Sequence, residues 1–365
     1  MRSAEILEIN EQASRIPNCI RFDKGSANFP FPEEFLPLID DVKKSITGNY
    51  FAYPSIGGEQ ELKKQIVSFE RENGRDVSSD DIVITHGGMS GIFTFLGVVT
   101  ERGDEIITNE YFFEGFSLVI DYFKLQHRCI NLADSNALQT AISERTRIII
   151  INSPENPTGR VYTREETDAI TRIAKERSIL VLSDEVTNKI VYGDTRWAGP
   201  ALEGGYVVAV NSFSKNWFIP GIRTGWTTSK NPDLNRRMAH FLSTQSVGVS
   251  VFAQLIMTHI LHDIDDRIFR ESCMRILSDR RNLMKRMLDT EKIPYLYEPK
   301  GGTNFYIDVK KDSRKVTSSL LTGSGIAVIP GDLFENKPSH YVRIGFGAVD
   351  GDAIKRGIEA ISRVF

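Results

Sequence analysis

Cysteine is scarce in this sequence, whose 365 residues include only Cys19, Cys129 and Cys273. The three are far apart and lack CxxC spacing. This pattern predicts neither a disulfide framework nor a zinc site. It fits a reducing compartment best, so we expect a cytoplasmic protein without a metal centre.

The sequence also lacks an excess of charge of one sign. Its 45 basic and 48 acidic residues give a formal net charge of -3, and the basic residues form no stripe or polybasic tail. Nucleic acids and anionic membrane surfaces attract proteins that carry concentrated positive charge. We therefore expect neither of them as a partner.

Long apolar runs are missing as well. No apolar segment approaches the roughly 18 residues that a membrane-spanning helix needs. The N-terminal sequence MRSAEILEINEQASRIPN has no unbroken apolar core of the kind found in signal peptides. We expect no membrane anchor. With 41% hydrophobic residues, the chain can instead bury the cores of one large and one smaller domain.

What is present, from about Asp81 onward, is an alternation of short β-rich runs with helix-like stretches. The runs are DIVIT, DEIIT, RTRIIII, ILVLS and YVVAV, and helices are predicted from about Met89, from about Glu114 and over TREETDAITRIAKE. This pattern favours an α/β domain with a mainly parallel sheet covered on both faces. A helical region from about Asn231 and three later strand-like segments predict a smaller α+β domain.

Polar and glycine-rich segments follow the predicted strands. THGGMSG follows DIVI, NSPENPTG follows RIIII, SDEV follows ILVL, and NSFSK follows YVVAV. In open parallel sheets, ligands bind at the carboxyl ends of the strands, where these loops gather. The four segments are therefore expected to share one site.

The residue types in these segments suggest a cofactor that carries a phosphate. A lysine from which water is excluded, here Lys215, can act as a nucleophile, although a surface lysine is the commoner explanation of one lysine alone. Arg223 offers a fork for phosphate oxygens, and the Gly87–Gly88 pair before a helix offers backbone N–H groups to an anion. A buried Asp184 needs a cation, which could come from an ordinary ion pair or from a pyridinium nitrogen.

Together these groups are the parts that hold pyridoxal 5′-phosphate, and the sequence resembles the class I/II aminotransferases, in the fold type I group of pyridoxal-phosphate enzymes. SFSKNWFIPGIRTGW is similar to the family's Ser-x-Ser-Lys…Gly-x-Arg-x-Gly signature, and NSPENPTG to its Asn-Pro-x-Asn-Pro-[Thr/Ser]-Gly loop. The resemblance runs from about Gly25 to the C-terminus. It implies a large cofactor-binding α/β domain with a mainly parallel seven-stranded sheet over 40–240. A small α+β domain from 1–39 and 241–365 closes over the active site.

The resemblance also implies a set of cofactor-binding residues: Tyr53, Gly88, Met89, Phe113, Asn156, Asp184, Ser212, Ser214, Lys215 and Arg223. In it, Lys215 is the catalytic residue, which binds the cofactor covalently and moves the proton at Cα. Asp184 keeps the ring nitrogen protonated, and Asn156 donates to the 3′-oxygen. Phe113 stacks on the ring, and Tyr53 reaches the phosphate of the neighbouring subunit in a homodimer with shared active sites.

For the substrate, the resemblance assigns Arg343 of YVRIGF to the α-carboxylate, which a guanidinium binds in a bidentate manner. The remaining substrate-binding residues are expected to be Ser26, Ala27, Asn156 and Thr303. His86 is interpreted as a packed or capping histidine. No metal takes part.

Two residues depart from the family pattern, because Thr187 and Phe113 stand where the family usually has tyrosine. We therefore keep two hypotheses about the reaction. The first is a pyridoxal-phosphate-dependent aminotransferase that moves an amino group between an L-amino acid and a 2-oxo acid. The alternative is another fold type I enzyme acting on an amino acid, such as a lyase, cyclase or oxidase. A non-enzymatic ligand sensor is disfavoured by the absence of room for a winged-helix domain, and a nicotinamide enzyme by the absence of GxGxxG after the first strand.

Overall fold

The computed structural model describes residues 5–30, 36–46, 52–263 and 266–364, with the side chains of 38, 39, 263 and 266–268 excepted. Its strands are β1 (Ile20–Arg21), β2 (Ile82–Thr85), β3 (Glu105–Asn109), β4 (Gln126–Ile130), β5 (Thr146–Asn152), β6 (Leu180–Asp184), β7 (Val207–Ser212), β8 (Gly225–Thr228), β9 (Asn304–Asp308), β10 (Ile326–Ala327), β11 (Ile329–Pro330) and β12 (Tyr341–Gly345). Its α-helices are α1 (Glu5–Ser14), α2 (Pro37–Ser45), α3 (Gln60–Glu72), α4 (Gly87–Val99), α5 (Glu114–Phe123), α6 (Ser135–Ala141), α7 (Arg164–Glu176), α8 (Phe213–Asn216), α9 (Pro232–Ser246), α10 (Val251–Asp263), α11 (Asp266–Thr290), α12 (Ser313–Ser324) and α13 (Gly351–Ser362).

A seven-stranded sheet organises the larger part of the molecule. Its strand order is β2-β8-β7-β6-β5-β3-β4. Only β8 runs against the others, since it pairs antiparallel with both of its neighbours while the remaining pairs are parallel. The predicted mainly parallel seven-stranded sheet of an α/β fold is therefore confirmed.

The central strands are buried on both faces, as their unbroken β-branched runs predict. In β5, Ile149 and Ile151 pack into the hydrophobic core on one side of the sheet. Their neighbours Ile148 and Ile150 pack into the core on the other side. Each such side chain contributes about 1.5–3 kcal/mol when removed from water, so the sheet holds the ends of its strands in fixed positions.

The helices that cover the sheet have local signals in the sequence. Helix α7 begins after Thr163, whose hydroxyl accepts from the N–H of Glu166 while the Glu166 carboxylate accepts from the N–H of Thr163. Helix α5 begins at Glu114 as predicted, and α4 begins at Gly87, two residues before the predicted start. Within the described ranges, no helix is both long and apolar enough to span a membrane.

A second, smaller sheet lies towards the C-terminus. Strands β11, β12 and β9 form an antiparallel sheet in that order, and β1 pairs in parallel with β10. The pairing of β1 with β10 joins the N-terminal segment to this part of the chain. The predicted domain boundary near 240 stays a prediction. Met257 and Ile260 of α10, beyond that boundary, pack in the core of the large sheet.

An aromatic cluster lies behind β7 and β8. The rings of Trp217 and Trp226 are almost fully buried and their centroids are 6.3 Å apart. Phe213 packs between them, with its ring centroid 4.9 Å from each indole. Burial of these large side chains fixes the segment that follows β7, which contains Lys215.

Candidate functional site

A cavity of about 230 Å³ opens where the carboxyl ends of β5 and β6 meet the second sheet. Asn152 and Asp184 are the last residues of these strands and are paired in register. Residues from seven separate parts of the chain line the cavity. They are Ile6, Asn10, Asp23, Lys24, Gly25, Ser26, Phe113, Glu114, Asn152, Pro154, Glu155, Asn156, Asp184, Val186, Thr187, Lys215, Gly302, Thr303, Asn304 and Arg343.

Lys215 reaches this cavity from α8, the short helix that follows β7. The Ser212 hydroxyl caps the helix by accepting from the N–H of Ser214. The Lys215 ammonium donates to the Gly25 carbonyl at 2.7 Å. Burial, together with the positive charge of Arg343, lowers the pKa of Lys215 to about 8. A substantial fraction of the amine is therefore neutral near pH 8, as a nucleophile requires.

Asp184 is a buried carboxylate, with 2% of its surface exposed. Burial raises its pKa to about 7, although the N–H of Val186 donates to Oδ1 at 3.3 Å. In the described part of the chain, Asp184 forms no ion pair. A positively charged group bound beside it would favour its ionised form, so Asp184 is suited to pair with a cationic ligand atom.

Hydroxyls and a guanidinium converge on the other side of Lys215. The Ser212 hydroxyl lies 3.0 Å from that of Ser214, and Nη1 of Arg223 donates to the Ser214 hydroxyl at 3.3 Å. The side chain of Arg223 is exposed and projects from a residue with φ of 54°. This group of donors is typical of a binding site for a phosphate dianion.

The N-terminus of α4 completes the group of donors. Gly87 has φ of +76°, and a Cβ there would lie 2.9 Å from Nη2 of Arg223. At Gly88 a Cβ would lie 2.7 Å from Cγ1 of Val186. Gly87 therefore allows the N-terminus of α4 to approach Arg223 closely, and Gly88 allows it to approach Val186.

Arg343 enters the cavity from β12 of the second sheet and is buried. Its Nη1 donates to Oδ1 of Asn156 at 3.1 Å, and its Nη2 donates to the carbonyl of Asp23 at 2.8 Å. Its Nε has no hydrogen-bond partner among the described residues. A Cβ on Gly25 would lie 3.3 Å from Nη1, so the glycine leaves the guanidinium uncovered. A buried guanidinium with an unpartnered N–H is suited to a carboxylate ligand.

The other predicted cofactor residues occupy different surroundings. Phe113 lines the cavity, and its ring packs edge-to-face on Phe116 at 5.5 Å. Met89 lines an adjoining cavity of about 190 Å³. The side chain of Tyr53 is largely exposed, with 84% of the residue surface accessible, and it does not line either cavity.

Among the predicted substrate residues, Ser26 and Thr303 line the cavity. Ala27 does not line it, because it is buried against the backbone of Gly347. His86 precedes α4, but its ring contacts the Ser246 hydroxyl at 2.7 Å and does not cap the helix. The Thr187 hydroxyl donates to the carbonyl of Pro154 at 3.3 Å.

Several residues of the cavity were not singled out from the sequence. Asn10 and Lys24 come from the N-terminal segment, Glu114 begins α5, and Glu155 lies inside the NSPENPTG loop. Burial raises the pKa of Glu155 to about 7, against hydrogen bonds from Thr158 and Asn109. Two of them had a local signal, since Glu114 directly follows the predicted ring-stacking residue and Glu155 lies inside the NSPENPTG loop.

Comparison with known proteins identifies the family. The sequence profile described as "Aminotransferase class I and II" matches residues 19–361. The chain belongs to this family. It is a pyridoxal-phosphate-dependent aminotransferase, an enzyme that moves an amino group between an amino acid and a 2-oxo acid. The first of the two hypotheses about the reaction is thereby confirmed.

Individual relatives share the whole length of this aminotransferase. It is 27% identical over 374 residues to aspartate aminotransferase of Sulfolobus acidocaldarius, which covers 94% of this chain and 89% of the relative. It is 25% identical over 377 residues to aspartate aminotransferase of Pyrococcus horikoshii. This alignment covers 100% of this chain and 94% of the relative.

Solved structures show the same fold. Aspartate aminotransferase from Thermus thermophilus with maleate superposes with a TM-score of 0.91 at 22% identity, covering 99% of this chain and 96% of that one. N-succinyldiaminopimelate aminotransferase from Mycobacterium tuberculosis superposes with a TM-score of 0.89 at 23% identity. The superposition covers 99% of this chain and 97% of that one. The fold type I architecture predicted for the aminotransferase is thus confirmed.

The residues present fit the cofactor of the family. Asp184 is a buried carboxylate without an ion-pair partner in the described chain, which a pyridinium nitrogen would neutralise. Gly87 and Gly88 leave the N-terminus of α4 open to an anion beside Arg223. Lys215, with its lowered pKa, lines the same cavity as Asp184 and follows the capping residue Ser212 on α8.

Proposed function

We propose that this aminotransferase acts through Lys215 as its catalytic residue, with Arg343 as the receptor for the α-carboxylate of the L-amino acid and of the 2-oxo acid. The observation that carries the proposal is the Lys215 amine. It lies in the same cavity as Arg343 and Asp184, and burial lowers its pKa to about 8. No other lysine in the described chain combines this burial with these neighbours.

Lys215 has two tasks in this proposal. Its neutral amine would hold the cofactor covalently, and in its free form the same amine would take up and return the proton at the donor's Cα. When bound, pyridoxal phosphate supplies an electron sink for the charge that develops at Cα. Asp184 supports this by holding a positive charge beside its carboxylate.

Arg343 positions the donor. Its guanidinium is held by Asn156 and by the Asp23 carbonyl, while Nε is left without a partner in the described structure. A carboxylate bound there replaces water around a buried cation, which orients Cα towards the Lys215 amine. Asn156 accepts from Arg343 and lines the same cavity as Lys215. In this proposal it also hydrogen-bonds the cofactor's 3′-oxygen.

The phosphate is assigned to the donors on the far side of Lys215. Ser212, Ser214 and Arg223 contribute side chains, and the first turn of α4 contributes the N–H groups of Gly88 and Met89. Phe113 covers the ring. The charge of the phosphate is then met by one guanidinium and by a helix N-terminus.

A homodimer is part of the proposal. Tyr53 is exposed and remote from the cavities of its own chain, which suits a residue that reaches the phosphate of a neighbouring subunit. The scarcity of cysteine supports a cytoplasmic location. Sedimentation analysis tests the dimer, and mixed dimers of Tyr53→Phe and Lys215→Ala subunits test the shared site.

The decisive experiment follows the amino group. The protein is incubated with a panel of amino acids, aspartate included because the relatives are named for it, and with 2-oxoglutarate or pyruvate. Transamination produces a new amino acid without ammonia. Ammonia release, or no product from any donor, contradicts the proposal. Borohydride reduction and peptide mapping then show whether the cofactor is attached to Lys215.

A further inference from the structure

Glu114 occupies an unusual position for a carboxylate. It is the first residue of α5 and lines both the cavity that contains Lys215 and the adjoining cavity. Its Oε2 atom is buried and has no hydrogen-bond partner among the described residues. Burial raises the pKa of Glu114, even though Arg343 and Lys215 lie close enough to lower it. A buried carboxylate oxygen without a donor is costly unless a ligand supplies one.

The other carboxylates of the cavity already have tasks. Asp23 is paired with Arg21 at 2.8 Å, and Glu155 accepts hydrogen bonds from Thr158 and Asn109. Asp184 is assigned to the cofactor. Of the four acidic residues that line the described cavity, Glu114 alone retains a buried oxygen without a partner.

The adjoining cavity indicates the shape of the ligand. Its volume is about 190 Å³, and it shares Ile6, Phe113 and Glu114 with the main cavity. The rest of its lining is mainly apolar: Leu7, Met89, Gly115, Ser117, Leu118 and Leu333. A side chain that leaves Cα near Lys215 and extends past Phe113 therefore meets apolar walls with one carboxylate among them.

We propose that Glu114 selects the amino donor by pairing with a cationic, hydrogen-bond-donating group, a guanidinium or an ammonium, carried on an apolar stem of the donor's side chain. The proposal rests on the function proposed above, because Arg343 must hold the donor's α-carboxylate. The methylene stem contacts the apolar walls, and the head donates to the free oxygen of Glu114.

Acidic donors are disfavoured by the same arrangement. The side-chain carboxylate of aspartate or glutamate would lie near Glu114, and two like charges in a buried site repel each other. Lys24 is the competing group in the cavity, since its ammonium could receive such a carboxylate. Its Nζ already contacts Oδ1 of Asn10, and burial lowers its pKa.

The first test compares two donors of nearly equal shape. Arginine carries a guanidinium where citrulline carries a neutral urea group. For the holoenzyme we expect kcat/KM to be ~10–100-fold higher with arginine, the range expected for a charged hydrogen bond. Glu114→Gln is expected to bring the ratio close to one. Glu101→Gln, which removes an exposed carboxylate just before the amino end of β3, is expected to leave it unchanged.

The second test needs no turnover. The carboxylic acid 5-guanidinopentanoate keeps the carboxylate and the guanidinium but lacks the reactive amine, and hexanoate lacks the guanidinium as well. Calorimetric titration of the holoenzyme should show at least ~10-fold tighter binding of the guanidino acid. Glu114→Gln should remove this preference while hexanoate binds as before, which a purely structural role of Glu114 would not produce.

The outcomes separate the two proposals. If the wild-type enzyme uses citrulline as well as arginine, Glu114 does not select a cation. If it prefers glutamate, Glu114 does not select a cation either, and Lys24 becomes the selecting residue. If no donor yields a new amino acid while the guanidino acid still binds through Glu114, the proposed function fails and the binding site stands. Both comparisons use wild-type protein first, so a poorly folded variant does not decide the result.

Discussion

The two halves of the candidate site are built in different ways. The cofactor half consists of the first turn of α4, Asp184, the segment 212–215 and Arg223, all at the ends of strands in one sheet. The donor half combines the segment 6–26, Glu114, the segment 302–304 and Arg343. Its members come from the N-terminus, from α5 and from the second sheet, and they meet only in the folded chain.

This difference explains why residue types and spacings are fixed in one half of the site and not in the other. The cofactor half holds a ligand of fixed shape, so its residues occur in short motifs with set spacing. The donor half faces a variable side chain. Substitutions in the cofactor half should therefore affect all donors equally, whereas those around Glu114 should change the order of preference among donors.

The largest effect is expected for Lys215→Ala. We expect turnover to fall by roughly 10⁴-fold or more with every donor, because the variant loses both the covalent attachment and a positioned acid–base group. Stopped-flow and steady-state assays with neutral, basic and acidic donors measure this. High activity of the variant with one class of donor would contradict the expectation that the cofactor half affects all donors equally.

The next largest effect is expected for Asp184→Asn, with turnover lowered by about 10²–10³-fold for all donors. The amide oxygen can still accept from the Val186 N–H, so the cofactor-free fold should remain intact. Turnover close to that of the wild type would show that the ring nitrogen lies elsewhere.

The same variant has a second readout in the cofactor-free protein. The folded pKa of Asp184, about 7, lies above its ordinary value of 3.8, so the stability it contributes is present at low pH and is lost as pH rises through 7. The loss is about 4 kcal/mol at most, at 1.36 kcal/mol per pH unit. Urea unfolding at pH 4 and pH 8 should show a smaller decrease for Asp184→Asn than for wild type.

Arg343→Ala is expected to lower kcat/KM by roughly 10²-fold, the order that accompanies loss of a buried charged partner. KM should rise for every donor, because all of them carry the α-carboxylate. Arg343→Lys is the matched control: it retains the charge but not the fork held by Asn156, and should recover only part of the loss. An unchanged KM across donors would place the carboxylate site elsewhere.

The smallest effect is expected at Thr187, where the family usually has tyrosine. The Thr187 hydroxyl donates to the carbonyl of Pro154, so its hydrogen is already engaged within the protein. A phenol at this position would favour the ionised form of the cofactor's 3′-oxygen. Thr187→Tyr should therefore shift the pH midpoint of the bound cofactor's absorbance downward by less than about one unit. Thr187→Val should leave the midpoint unchanged. Equal midpoints in the wild type and both variants would mean that another residue already supplies the hydrogen bond to the 3′-oxygen.

The sequence predicted the large sheet and the groups at its strand ends, because unbroken β-branched runs such as β5 and motifs such as NSFSK are local features. The donor half was predicted only where the family resemblance reached it, at Ser26, Thr303 and Arg343. Asn10 and Lys24 lie in segments without a distinctive pattern. Their position in the cavity depends on the pairing of β1 with β10, more than 300 residues apart in sequence. Ala27 was expected in the pocket, but it is buried in the hydrophobic core of the second sheet, with its backbone against Gly347.

The three tryptophans of the chain all lie against the segments that support the site. Trp217 follows Lys215 by two residues, Trp226 lies beside it in the aromatic cluster, and Nε1 of Trp197 donates to the carbonyl of Ser153 at 2.9 Å. Their ultraviolet emission therefore comes from indoles held near the cavity. A ligand that absorbs in the near ultraviolet and binds beside Lys215 will quench this emission by energy transfer, so occupancy can be followed optically in variants that perform no chemistry.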